Sequence, residues 1–221
     1  AEELGRWYGF IPGKTYQHAL KGFAARMPAL VAQALAQDPD VRLVEPDLYA
    51  HTTAQEIPTG VRRIGAAPGL TSLDCSNVAV AIIDTGIDLD HPDLNVVYGK
   101  SFIGDDTGNG DDDNGHGTHV AGIVAAKNND IGVVGVCPGA RLWAIKVLFS
   151  NGRGYFSDII QGIDHVTANA GQIEVANMSL GGIGYMASLR TAIQNSVAQG
   201  VVYIVSAGNN GMDVYGANGH L

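Results

Sequence analysis

The stretch "NVAVAIIDTG", residues 77–86, decides how the rest of the chain is read. From Val78 to Ile83 it is apolar without a break, and it stops at a carboxylate, Asp84. A strand buried on both faces of a parallel sheet reads this way when its C-terminal end opens into a site. Downstream, "HVAGIVAA" has helical character and "ARLWAIKVL" is a second buried strand. "SDIIQGIDHVTANAG" is a helix, with Ser157 as its N-cap and Gly171 at its C-terminus. "IEVANMSL", the helix "YMASLRTAIQNSVAQG" and the strand "VVYIVSAGNNG" continue the series. Strands alternating with helices predict an α/β fold with a doubly wound, mainly parallel sheet. Chemistry gathers at the C-terminal strand ends of such a sheet, where Asp84, Ser179 and Asn209 fall.

Upstream, residues 6–50 form a separate small α+β pattern. "RWYGFIP" is strand-like and "TYQHALKGFAA" follows it. In "MPALVAQALAQDPD" Pro28 suits a first helical turn, with Leu30, Val31, Ala34 and Leu35 at helical spacing. "VRLVEPDLYAH" alternates as a strand. A Thr/Gly/Pro-bearing stretch, "HTTAQEIPTG", puts a boundary near residues 51–54, dividing the chain into 1–53 and 54–221.

The 221 residues are 46% hydrophobic, enough for a full core. With 13 basic against 22 acidic residues, the formal charge of −9 has the wrong sign for a nucleic acid or an anionic membrane. No apolar run reaches the roughly 18 residues that span a bilayer, and the first residues lack a signal-peptide pattern. Cys75 and Cys137 precede neighbouring strands, as a disulfide or as two buried thiols.

The motifs narrow the chemistry. Asp-Thr-Gly is shared with aspartic proteases, but those need an all-β surround and a second such carboxylate, and none occurs here. A strand-end Asp also serves as a cap or turn former. The pair His116 and His119 in "HGTH" could hold zinc, yet it lacks the glutamate of the HExxH type. Gly117 after His116 suits a helix start, where His116 projects into a cleft and His119 turns inward beneath the site. A strand-end Asp and a His at the following helix start are two parts of a nucleophilic triad. Asn209, in a Gly-rich turn, can donate an N–H to an oxyanion or serve only to form the turn.

In that order and spacing, "AIIDTGIDLDHPDL", "NGHGTHVAGIVAA", "NMSLGG" and "VSAGNNG" resemble the subtilisin-like serine proteases (subtilases), over about residues 54–211. The resemblance implies a secreted endopeptidase with Asp84 as triad aspartate, His116 as general base and Asn209 as oxyanion donor. It makes Gly152, Arg153 and Gly154 the edge that pairs with a polypeptide substrate, and Ser179, Leu180 and Gly181, with Gly182, the opposing wall. A bound peptide would add a strand between them. "AAKNNDIGVVGV" resembles the family's calcium loop. Carbonyls of Lys127, Ile131 and Val133 with side-chain oxygens of Asn129, Asp93 and Gln55 would hold structural Ca2+, and an ordinary polar loop is the alternative. The acids of "DDTGNGDDD" suit a solvated loop better than a second, weaker calcium site. Residues 6–51 resemble the family's propeptide, an intramolecular inhibitor, with processing after Thr53.

One departure limits the resemblance. The family's nucleophile stands in a Gly-Thr-Ser turn downstream of the oxyanion asparagine, and no such segment occurs in these residues. Ser179 and Ser206 read as strand-end residues. Two expectations follow. The chain is a C-terminally truncated piece of a subtilase precursor, inactive alone, or it is a non-catalytic peptide-binding or inhibitory module with a partial protease fold. A two-histidine metalloenzyme is a third.

Overall fold

The computed structural model describes residues 1–47, 55–70, 74–104, 108–182, 186–209 and 211. It divides into two compact units, Ala1–Thr52 and Thr53–Leu221. The proposed processing point after Thr53 and part of the expected strand "VRLVEPDLYAH" lie outside the described residues.

In the first unit, helix α1 (Glu2–Tyr8) is followed by strands β1 (Pro12–Tyr16) and β2 (Gly22–Ala25) and helix α2 (Ala29–Leu35). In place of the strand expected in "RWYGFIP", Arg6, Trp7 and Tyr8 end α1, Gly9 turns the chain, and β1 starts only at Pro12. Glu2 and Glu3 in the first turn favour the positive helix end, and Gly9, left-handed at φ 74°, returns its N–H to the Gly5 carbonyl. These terminal signals outweigh the β preference of the aromatic residues. β1 and β2 pair antiparallel, and α2 starts after Pro28 as its spacing predicts. Residues 41–47 have no regular structure, against the strand expected there. Phe10 and Leu35 are the buried large side chains among the described residues of this unit, and Phe10 stacks on Phe23 at 5.3 Å.

In the second unit, a short helix α3 (Thr59–Arg63) precedes β3 (Ala79–Asp84), β4 (Val96–Ser101), α4 (His116–Ala125), β5 (Arg141–Lys146), α5 (Phe156–Ala168), β6 (Val175–Met178), α6 (Ala187–Ala198) and β7 (Val202–Val205). The five strands form one parallel sheet in the order β4-β5-β3-β6-β7. Every residue of β3, the central strand, is buried. Its side chains alternate between faces. Ala79, Ala81 and Ile83 join Ile159, Ile163 and Val166 of α5 in one core cluster. Val80 and Ile82 join Ala121 and Ala125 of α4 in the other. Helices thus cover both faces, as the doubly wound reading requires. Two terminal assignments differ from the sequence reading. Tyr155, not Ser157, precedes α5, and Asn169, not Gly171, follows it.

Cys75 and Cys137 form a disulfide with a sequence separation of 62, so the closed loop contains β3, β4 and α4. Among the described residues no helix is long and apolar enough to cross a membrane.

Candidate active site

Parallel pairing fixes where β3 stops. Asp84 is its last residue, opposite Lys146 of β5, and its side chain is fully buried. The preceding apolar run is held on both faces, so the carboxylate has little freedom to leave this position. Asp84 Oδ1 accepts the Thr85 N–H at 2.7 Å and lies 2.7 Å from Nδ1 of His116, the first residue of α4. An ionised carboxylate only accepts, so with Asp84 in that form the contact makes Nδ1 the protonated nitrogen and puts the imidazole's lone pair on Nε2. The imidazole is 49% exposed while Asp84 is at 0%. Asp84 Oδ2 is buried with no hydrogen-bond partner among the described residues, so the Thr85 N–H and the imidazole, both at Oδ1, are what compensate the buried carboxylate there.

His116 stands at the end of a cleft of about 600 Å3. Leu148, Phe156 and Ile159 line its apolar part, and Gly152–Gly154 and Ser179–Gly182 form its borders. The Gly152–Gly154 border is an irregular segment rather than a strand, with Gly152 left-handed at φ 73°. Arg153 has its backbone turned into its own loop, its carbonyl accepting from Phe149 and its N–H donating to Asn151. The Leu180 carbonyl accepts the Ser206 hydroxyl. A Cβ at Gly154 would lie 2.3 Å from the Val147 carbonyl, so only glycine lets this border approach the end of β5. Both borders are glycine-rich backbone segments, with Gly152, Gly154, Gly181 and Gly182 lining the cleft.

Asn209 lies in the turn beyond β7 and is exposed, and it is not among the residues lining the cleft. His119 is also exposed. This corrects the expectation that it packs beneath the site. The inward positions of α4 are Gly117, Ala121 and Ala125, which leaves residue 119 on the outer side.

The sequence reading missed Thr85, Asn114, Leu148, Phe156 and Ile159 as cleft-lining residues, and it missed Asp112. Asp112 was folded into a solvated acidic loop, and only its spacing of four before His116 could have marked it. Burial opposes its ionisation, but hydrogen bonds from the Thr118 side chain and from the backbones of Gly115, Asn114 and Thr118 hold its carboxyl below the ordinary range.

A second cluster gathers the six residues of the expected calcium loop. The Gln55 amide Nε2 donates to the carbonyls of Lys127 at 2.7 Å, Ile131 at 3.2 Å and Val133 at 3.4 Å, and to Asn129 Oδ1 at 3.2 Å. Asp93 accepts the Asn129 side-chain N–H at 2.9 Å and the Val133 N–H at 3.4 Å. Four oxygens thus converge on one small positively polarised group, with a single carboxylate alongside. Hard oxygens of this mixed kind are what calcium selects. Among the described residues there is no group of three or more His, Cys, Asp or Glu side chains able to hold a metal.

Residues 75–220 match the subtilase family, and residues 9–53 match the peptidase inhibitor I9 family. Subtilisin E of Bacillus subtilis (strain 168) is 47% identical over 190 residues, 85% of this chain and 49% of that protein. A subtilisin of Bacillus pumilus is 48% identical over 160 residues, covering 72% and 57%. An alkaline protease of Alkalihalobacillus alcalophilus is 44% identical over 179 residues, covering 80% and 46%. The chain spans about half the length of the curated relatives it matches.

Proposed function

The chain belongs to the subtilase family, and from that premise we propose that it is the propeptide and the first part of the catalytic domain of a secreted serine endopeptidase. The observation that carries the reading is the 2.7 Å contact between buried Asp84 and His116 at the end of a backbone-walled cleft. In this scheme Asp84 holds the imidazole with Nδ1 protonated, and Nε2 takes the proton of a serine hydroxyl as it attacks the peptide carbonyl. Asp84 then stabilises the imidazolium, which returns the proton to the leaving amine. Asn209 donates to the oxyanion. The polypeptide substrate lies between Gly152–Gly154 and Ser179–Gly181, its main chain paired with those edges. The serine is not supplied by a Gly-Thr-Ser segment of these residues. The match to an inhibitor family supports residues 1–53 as an intramolecular inhibitor.

Fluorophosphonate labelling of the intact protein tests the reading. One serine outside these 221 residues is expected to react, and His116→Ala to abolish labelling. An intact protein that stays unlabelled yet binds extended peptides would favour a non-catalytic binding module instead.

We further propose that Gln55, Asp93, Lys127, Asn129, Ile131 and Val133 hold structural Ca2+. The convergence of four oxygens at the Gln55 amide supports this, since a half-turn of that amide adds a fifth oxygen. When bound, the ion would add no chemistry to peptide cleavage. It would tie residue 55 to the loop following α4.

A further inference from the structure

Asp112 belongs neither to the carboxylate–imidazole pair nor to the cleft lining. Its Oδ1 accepts the Thr85 hydroxyl at 2.9 Å and the N–H groups of Asn114 and Gly115 at 3.0 Å each. Its Oδ2 accepts the Thr118 N–H at 2.9 Å and the Thr118 hydroxyl at 2.5 Å. Thr85, fully buried and adjacent to Asp84, accepts the Gly117 N–H on its Oγ1 at 2.9 Å. The first turn of α4 thus gets its side-chain acceptors from Asp112 for Thr118, from Thr85 for Gly117 and from Asn114, whose Oδ1 accepts the His116 N–H at 3.2 Å. Its own N-cap, Gly115, has no side chain to offer, and first-turn N–H groups have no partner within a helix. A negative charge at this end is also favourable. The packing is tight enough for small displacements to matter, because a Cβ at Gly117 would lie 2.0 Å from the Gly86 carbonyl.

We propose that Asp112 is a positioning residue for the proton relay: through Thr85 and Thr118 it docks the first turn of α4 on the end of β3, at the separation the Asp84–His116 hydrogen bond needs. This rests on His116 being the base. Asparagine at 112 has the size of aspartate but one acceptor oxygen in place of two. Its NH2 must face either the N–H groups of Asn114 and Gly115 or the donors of Thr118. One side of the dock then opens. The neighbouring Asp113 makes a different contact, 2.5 Å to Lys146 Nζ, with its side chain 54% exposed. Lys146 also donates to the Thr85 and Leu148 carbonyls, so its loss from Asp113 leaves the ammonium partnered.

The test is proton NMR of the intact protein, reading the downfield Nδ1–H resonance of His116, assigned by its disappearance in His116→Ala. Asp112→Asn is expected to broaden or lose this resonance while circular dichroism stays native, and Asp113→Asn to keep it. Thr85→Val should repeat the loss, and Thr85→Ser should retain the signal. In the intact protein the same Asp112→Asn change is expected to lower kcat by about 10- to 100-fold, with KM little altered, as for a reacting group misplaced by under about 1 Å. An unchanged resonance in folded Asp112→Asn would overturn the proposal, leaving Asp112 a mere loop anchor. If that variant does not fold, Thr85→Val decides in the same way. Absence of the resonance from the unsubstituted chain would instead sink the Asp84–His116 pairing, and the positioning role with it.

Discussion

The two units differ in how their strands are held. β3 lies between two strands and two helical layers, with every residue buried. Among the described residues β1 and β2 pair only with each other, and no residue of either strand is fully buried. Trp7, Ile11 and Leu30 of the small unit are 71%, 87% and 78% exposed. A two-stranded ribbon with so thin a core is marginal alone, whereas the five-stranded sheet buries enough apolar surface to fix its own register. The Asp84–His116 pair is mounted on this second unit, at the end of its most buried strand.

Reducing the disulfide is the strongest way to press this difference. Cys75–Cys137 closes a loop of 62 residues around β3, β4 and α4, and the small unit has no cysteine. Chain-entropy arguments give about 4 kcal/mol for a loop of this size. Denaturant unfolding with and without reductant should show a loss of up to that amount for the second unit and no change for the first. Equal losses in both would mean that the two melt as one body.

Side-chain truncation comes next. Ile83→Ala, at a fully buried position of β3, is expected to cost about 2–5 kcal/mol, and Leu30→Ala in the small unit within about 0.5 kcal/mol either way. Urea midpoints measure both. A large effect at Leu30 would show that its exposed side chain is covered in the whole molecule. Calcium removal ranks third. If the Gln55 and Asn129 cluster binds the ion, saturation to 100 times Kd contributes about 2.7 kcal/mol, all in the second unit. Thermal melting with and without chelator reads it, and an unmoved transition would remove calcium from the proposal.

Legibility in the sequence followed the same division. β3 and β5 could be read because their continuous apolar runs report burial on both faces, whereas β7 is as apolar in sequence yet exposes Val202, Ile204 and Val205. Asp84 and His116 could be read because an unbroken run ends in one and a helix starts at the other. In the small unit burial is weak, so helix-end signals such as Glu2, Glu3 and Gly9 decided against the aromatic β preference of "RWYGFIP". Residue 119 was misplaced for a geometric reason. The site contains Gly117, whose missing side chain permits contact with Gly86, and this sets the inward face of α4. Asp112 stayed hidden because its partners, Thr85 and Thr118, are separated from it by 27 and 6 positions.

The smallest expected effect concerns His165 of α5, the kind of group only the larger core can make. Its ring stacks on Tyr98 at 5.4 Å and lies 5.3 Å from Phe102, with Trp143 on a third side. Burial lowers its pKa, Lys100 lowers it further and Asp164 partly opposes them. The folded state therefore binds this proton less readily than the unfolded chain, whose imidazole titrates near about 6.5. The contribution is fully present above that pH and is lost as pH falls from there through the folded value, with a slope of at most about 1.4 kcal/mol per unit. His165→Phe keeps an aromatic ring in the cage and removes the proton. Its stability should fall less steeply than that of the unsubstituted chain between about pH 6.5 and 5, with calcium held saturating. Parallel profiles would show that the ring is solvated enough to charge in place. The aromatic cage would then be packing without electrostatic consequence, and the two units would differ in burial but not in their response to acid.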